Sequence, residues 1–149
     1  MEYFDREKAE RVWQRVQGEK RKEAVQPSLK SLLLTAGENS AVYAALARQF
    51  TGKTAQTMGR FHRETRKAIA AIQGISRHRG MPIWLPKIAV PKEHHRSALE
   101  KAYLREKTLW EGFQAGVSDP EHGVVFHALS QQAQNRCAML MALLGRQED

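Results

Sequence analysis

Two glutamates and one stretch near the C-terminus hold the residue types from which this chain could build a chemical site. Glu64 lies between Phe61 and Ala68 on the apolar side of a helical pattern. Glu106 falls seven residues after Leu99 and seven before Phe113. Seven residues at ~100° each return to nearly the same face of a helix, so both carboxylates are predicted to point inward. A buried glutamate needs a partner. Lys67, Arg63 or Arg136 could supply one as a structural ion pair, and a weak mononuclear metal site is the sharper alternative. The third stretch is QQAQNRCAML, residues 131–140, which reads as helix. Gln134 and Cys137 lie three apart there, on one face by spacing. An amide and a thiol stand where a carboxylate and an imidazole could jointly hold an ion. Cys137 on an apolar stripe reads first as a small core residue.

Helices must position these residues, and the pattern predicts five with no strand. Residues 4–24 alternate charge with Phe4, Ala9, Val12, Trp13 and Val16, an amphipathic peripheral helix. Pro27 stops it and Ser28 can cap the next. A helix over 28–50 carries Leu29, Leu32, Leu33, Ala36, Tyr43 and Leu46. Thr51-Gly52-Lys53-Thr54 is a turn, and a helix over 54–77 carries Phe61, Ala68, Ala71, Ile72 and Ile75. Three prolines in GMPIWLPKIAVP, residues 80–91, make an extended crossover anchored by Ile83, Trp84, Leu85 and Ile88. A helix over 92–115 follows, with Leu99, Ala102, Leu109 and Phe113 inward. Asp119-Pro120-Glu121 has the cap, proline and carboxylate of a helix start. That last helix is expected to run to about 144, with Phe126, Ala133, Cys137, Leu140 and Leu144 inward and Gly145 ending it.

Hairpin, long crossover, hairpin is the plan of an all-α, ferritin-like four-helix bundle. The chain resembles the ferritin-like superfamily, in particular rubrerythrin-type domains, over roughly residues 10–144. The resemblance is carried by WQRV at 13–16, SAVYAALARQF at 40–50, FHRETRKAIAAIQGI at 61–75, LREKTLWEGF at 104–113 and FHALSQQAQNRCAMLMALL at 126–144. It implies a single domain: a peripheral helix to residue 26, a first hairpin over 27–77, the crossover over 78–91 and a second hairpin over 92–145. Members with a di-metal site place six ligands inside the bundle, one Glu on the first and third bundle helices and Glu-x-x-His on the second and fourth. Glu64 and Glu106 match two of these positions. Lys67, Gln134 and Cys137 fall on three others. Seven residues before Tyr43 stands Ala36, while Glu38 sits ~140° away and fits only in a shifted register. The resemblance therefore implies a bundle that has lost most di-iron ligands. No cofactor is expected, with iron or another divalent metal as the alternative.

Composition bounds the rest. The 149 residues suit one domain with a real core. Cys137 is the only cysteine, so the chain forms no internal disulfide, and a reducing, cytoplasmic setting is the default. MEYFDREKAERV lacks the apolar run of a secretory signal. The net charge is +8. The excess falls mainly in the 48–79 region, where Arg60, Arg63, Arg66 and Lys67 form a stripe on one helix. Such a stripe is a solvated face, charge masked by a second subunit, or a patch for an anionic partner such as nucleic acid. GKT at 52–54 lacks the upstream glycine and strand of a phosphate loop and reads as a turn. His62, His78, His94, His95, His122 and His127 are expected near or at the surface, since neither close pair shares a helix face. The chain is expected to be a non-catalytic structural or interaction protein, a homodimer with no membrane association. A metal-binding oxidoreductase or peroxidase-like protein using Glu64 and Glu106 is the alternative.

Overall fold

A computed structural model describes residues 28–147, which form four helices and no strand. We label them α1 (Leu29–Gln49), α2 (Gly52–His78), α3 (His95–Ala115) and α4 (Gly123–Gln147). The amphipathic helix expected over 4–24 lies outside the described residues.

Local chemistry sets most boundaries. Ser28 is extended and its side chain accepts from the Ser31 N–H at 3.3 Å, capping α1 as predicted. The turn expected over 51–54 is shorter than predicted: Gly52, Lys53 and Thr54 are already the first residues of α2, which Gly52 enters at φ +62°. At the end of α2, Gly80 adopts φ +75°, the Gly80 N–H donates to Arg77 and the Met81 N–H donates to Ser76. This pair of bonds needs a residue without a Cβ penalty in the left-handed region, which is why glycine stands there. His94 caps α3, accepting from the Arg96 N–H at 3.2 Å.

The second hairpin departs from expectation at both ends. Asp119-Pro120-Glu121 does not open α4. Asp119 accepts from the Glu121 N–H through its side chain and from the Gly123 N–H through its carbonyl. The segment is thus a capped turn, and α4 starts at Gly123. Helix α4 also runs through Gly145 to Gln147, because an isolated glycine costs only about 1 kcal/mol in a helix.

α1 packs against α2, α3 against α4, α1 against α3, and α2 more sparsely against α4. Leu32 meets Gly112 while Asn39 meets Glu106, and Arg60 meets Met139 while Glu64 meets Arg136, so α1 runs antiparallel to α3 and α2 to α4. The crossover passes over the outside of α1, where Leu85 and Ile88 lie against Gly37 so closely that any Cβ there would collide with them. Ile83 and Leu85 pack on the core as predicted. Trp84 does not: it is 77% exposed, since alternation along an extended strand turns neighbours to opposite sides.

The core divides into two apolar clusters. One holds Leu32, Leu33, Ala36, Ile72, Phe113 and Phe126. The other holds Val42, Leu46, Met58, Phe61, Leu99 and Leu140. Polar side chains lie between them.

Candidate functional site: an ionic layer in the bundle core

Each helix presents core residues at alternating steps of three and four. On α1 these are Leu32, Ala36, Asn39, Tyr43 and Leu46, and on α2 Phe61, Thr65, Ala68, Ile72 and Ile75. On α3 they are Leu99, Ala102, Glu106, Leu109 and Phe113, and on α4 Phe126, Leu129, Ala133, Arg136, Leu140 and Leu143. Steps of this kind keep one stripe facing the partner helices. At one level every stripe carries a polar residue: Asn39, Thr65, Glu106 and Arg136.

Glu106 is fully buried and Arg136 is 1% exposed. The Arg136 Nε–H donates to Glu106 Oε2 at 2.9 Å, and Nη1 donates to Glu64 Oε1 at 3.0 Å. Tyr43 donates its hydroxyl to the same Glu106 oxygen at 2.5 Å, and Asn39 Nδ2 reaches it at 3.2 Å. Asn39 also donates to the Ala102 carbonyl at 3.0 Å, tying α1 to the backbone of α3. Thr65 satisfies itself by donating to the Phe61 carbonyl at 2.8 Å.

The layer continues to both surfaces. Arg60 meets the outer oxygen of Glu64 at 3.6 Å and lies against Met139 of α4. On the opposite seam Arg105 reaches Asn39 at 3.5 Å and Glu38 at 3.6 Å. Charges and amides therefore cross the bundle from the α1–α3 edge to the α2–α4 edge.

Electrostatics follow from this crowding. Burial holds the Tyr43 hydroxyl well above its ordinary value, and the Glu106 carboxylate pushes it further in the same direction. Burial alone would lower Arg136, but the adjacent Glu106 more than offsets it and holds the guanidinium charged. Burial, with Glu106 nearby, pushes the Cys137 thiol up to about 11. The thiol is protonated near neutral pH and is poorly reactive.

The predicted site residues divide cleanly. Glu64 and Glu106 come together, through Arg136. Lys67 and Arg63 are exposed and hold neither carboxylate. Glu38 is half-exposed at the edge, paired with Arg105. Cys137 is buried, as expected. Gln134 is not: it is exposed, and Ala133 and Arg136 take the inward positions on α4. The sequence offers Arg136 as a possible partner for a buried acid, but the inward stripe expected for the last helix runs through Ala133, Cys137 and Leu140 without it. The signal that finds it is the three-four step itself, which reaches Arg136 from Phe126 without a break. Asn39 was missed for the same reason.

The polar stripe of α2 is exposed at Arg63, Arg66 and Lys67, while Arg60 turns toward Glu64. His62 is half-buried and bonds to the Ser40 side chain and carbonyl at 3.2 and 3.0 Å, joining α2 to α1.

Compared with known proteins, the chain matches no family model, no curated protein and no solved structure.

A di-metal centre needs several carboxylates and imidazoles free to bind. Here both inward carboxylates already hold a resident cation. Glu106 Oε1 is the only buried side-chain nitrogen or oxygen among the described residues with no hydrogen-bond partner, and it offers one ligand. The donor set of this layer does not fit a di-iron group.

Proposed function

We propose that this chain is a ferritin-like bundle of the rubrerythrin type in which a guanidinium takes the place of metal, and that it acts as a non-catalytic structural or interaction protein. The observation that carries this reading is the double engagement of Arg136. One buried cation spends its donors on Glu106 and Glu64, the two carboxylates that a metal would need. Binding a metal there would require displacing an arginine into carbon-lined surroundings, which costs several kcal/mol. Three donors converge on one oxygen of Glu106, and the whole carboxylate is buried away from solvent. A cytoplasmic setting and a homodimer belong to the same proposal. Support for the dimer is the apolar surface of the crossover, where Met81 is 69% exposed beside Trp84.

The test is elemental analysis of tag-free protein after anaerobic incubation with ferrous iron and, separately, with zinc. The expected outcome is no metal whose retention depends on Glu64 or Glu106. Metal near one per chain, lost in Glu64→Ala or Glu106→Ala, would restore the oxidoreductase reading.

Exposure of Arg63, Arg66 and Lys67 along one face favours a second reading, a polyanion-binding surface. It lacks the interleaved amides and aromatics of base readout. Binding of this kind weakens steeply with salt, by about −0.9 in the log–log slope per phosphate contacted.

A further inference from the structure

The fold brings together three donors that are far apart in sequence. His78 is the last residue of α2, and Glu121 and His122 lie in the turn before α4. One donor atom from each lies within 4.8 Å of the other two. His78 Nδ1 stands 3.3 Å from Glu121 Oε2. The two imidazole rings meet edge to face at 5.0 Å. We propose that His78, Glu121 and His122 form a zinc-binding site at this end of the bundle, distinct from the ionic layer.

The donors and their spacing point to a borderline-soft divalent ion. Two imidazoles and one carboxylate are the donors zinc takes in three-ligand sites, leaving a fourth position to solvent. The His78–Glu121 separation already matches the edge of a tetrahedron with bonds of about 2.0–2.1 Å, which is about 3.3 Å. Exposed side chains at His78 and Glu121 can rotate to close the remaining distance at little cost.

Orientation is provided as well. His122 is half-buried, and its Nδ1 lies 3.2 Å from Asp119 Oδ2. A proton shared there leaves Nε2 as the lone-pair donor, the carboxylate–histidine arrangement found behind metal ligands. Asp119 is itself fixed by Arg79 at 2.9 Å, and its carboxylate offsets that guanidinium's charge.

Finally, His78 sits in the last turn of α2, where the carbonyl end of the helix dipole favours positive charge. An ion at this point would staple the end of α2 to the α3–α4 turn. It would reinforce α2 against α4, the sparsest of the four packed pairs.

The experiment is a zinc titration of the full, tag-free chain against a competing chelator, with thermal unfolding alongside. The expected result is one zinc per chain and a midpoint that climbs with the logarithm of zinc concentration. His78→Ala, His122→Ala and the near-isosteric Glu121→Gln should each weaken binding about tenfold or more. Paired replacement of His94 and His95 by Ala, at the opposite end of the bundle, should leave it unchanged. Excess magnesium should not compete, because it prefers oxygen ligands in an octahedron. No zinc bound, or binding indifferent to His78→Ala and Glu121→Gln in protein that keeps its helical circular dichroism, would overturn the proposal. Zinc lost instead in Glu64→Ala or Glu106→Ala would overturn it and the metal-free core together. The two ideas therefore fail separately or jointly in ways that the same titration distinguishes.

Discussion

Arg136 is held by acceptors from two different helices, and Glu106 by donors from two others. Neither residue is satisfied without the other, so single and paired substitutions must differ sharply. Arg136→Met leaves a carboxylate in the core without its cation, which costs about 3–5 kcal/mol. Adding Glu106→Gln to that variant removes the stranded charge while keeping an acceptor for Tyr43 and Asn39. Urea denaturation should therefore show the double variant more stable than Arg136→Met alone. A cycle whose effects simply add would mean the pair does not interact. At this scale Glu106 was legible in the sequence, because seven-residue spacing from Leu99 and to Phe113 places it inward whatever its polarity. Arg136 was legible only as a partner for a buried acid. Its own burial follows only from the three-four step through Phe126, Leu129 and Ala133, against the polarity of its side chain.

Among the elements, the crossover depends on a single small residue. Leu85 and Ile88 rest where a side chain on residue 37 would stand. Gly37→Ala should gain about 1 kcal/mol of helix propensity and lose it again by pushing the two side chains outward. Gly37→Leu goes further: overpacking costs about 1–3 kcal/mol, and the strap over α1 should lift. Limited proteolysis is the measure, with cleavage within residues 81–94 rising in Gly37→Leu and barely changed in Gly37→Ala. Unchanged cleavage in both would show that the strap is held elsewhere. Helix positions were readable from Ser28, Gly52 and the three prolines, all of which act through local backbone chemistry. The start of α4 was not, because Asp119 caps a turn by the same bonds that cap a helix. Trp84 was misplaced for a different reason: in an extended segment, hydrophobicity alone does not say which side faces inward.

For the whole molecule, no helix among the described residues is long and apolar enough to cross a membrane. Among the described residues the largest exposed aromatic is Trp84, and Met81, three residues earlier, is exposed as well. If that surface joins two copies, Trp84→Ser should shift sedimentation from dimer to monomer while changing the monomer's own stability by less than about 0.5 kcal/mol. A wild-type monomer at high concentration would remove the dimer from the proposal. The two apolar clusters and the charged layer between them have one more consequence. Hydrophobic contacts alone would tolerate one hairpin sliding along the other by seven residues, about 10 Å, since the three-four steps repeat. The ionic layer forbids that slip. A displaced Glu106 would face Ala36 or Leu46 instead of Asn39 and Tyr43, and Arg136 would lose Glu64 and meet Met58 or Ile72. The buried charges thus act as a key that admits a single alignment of the two halves.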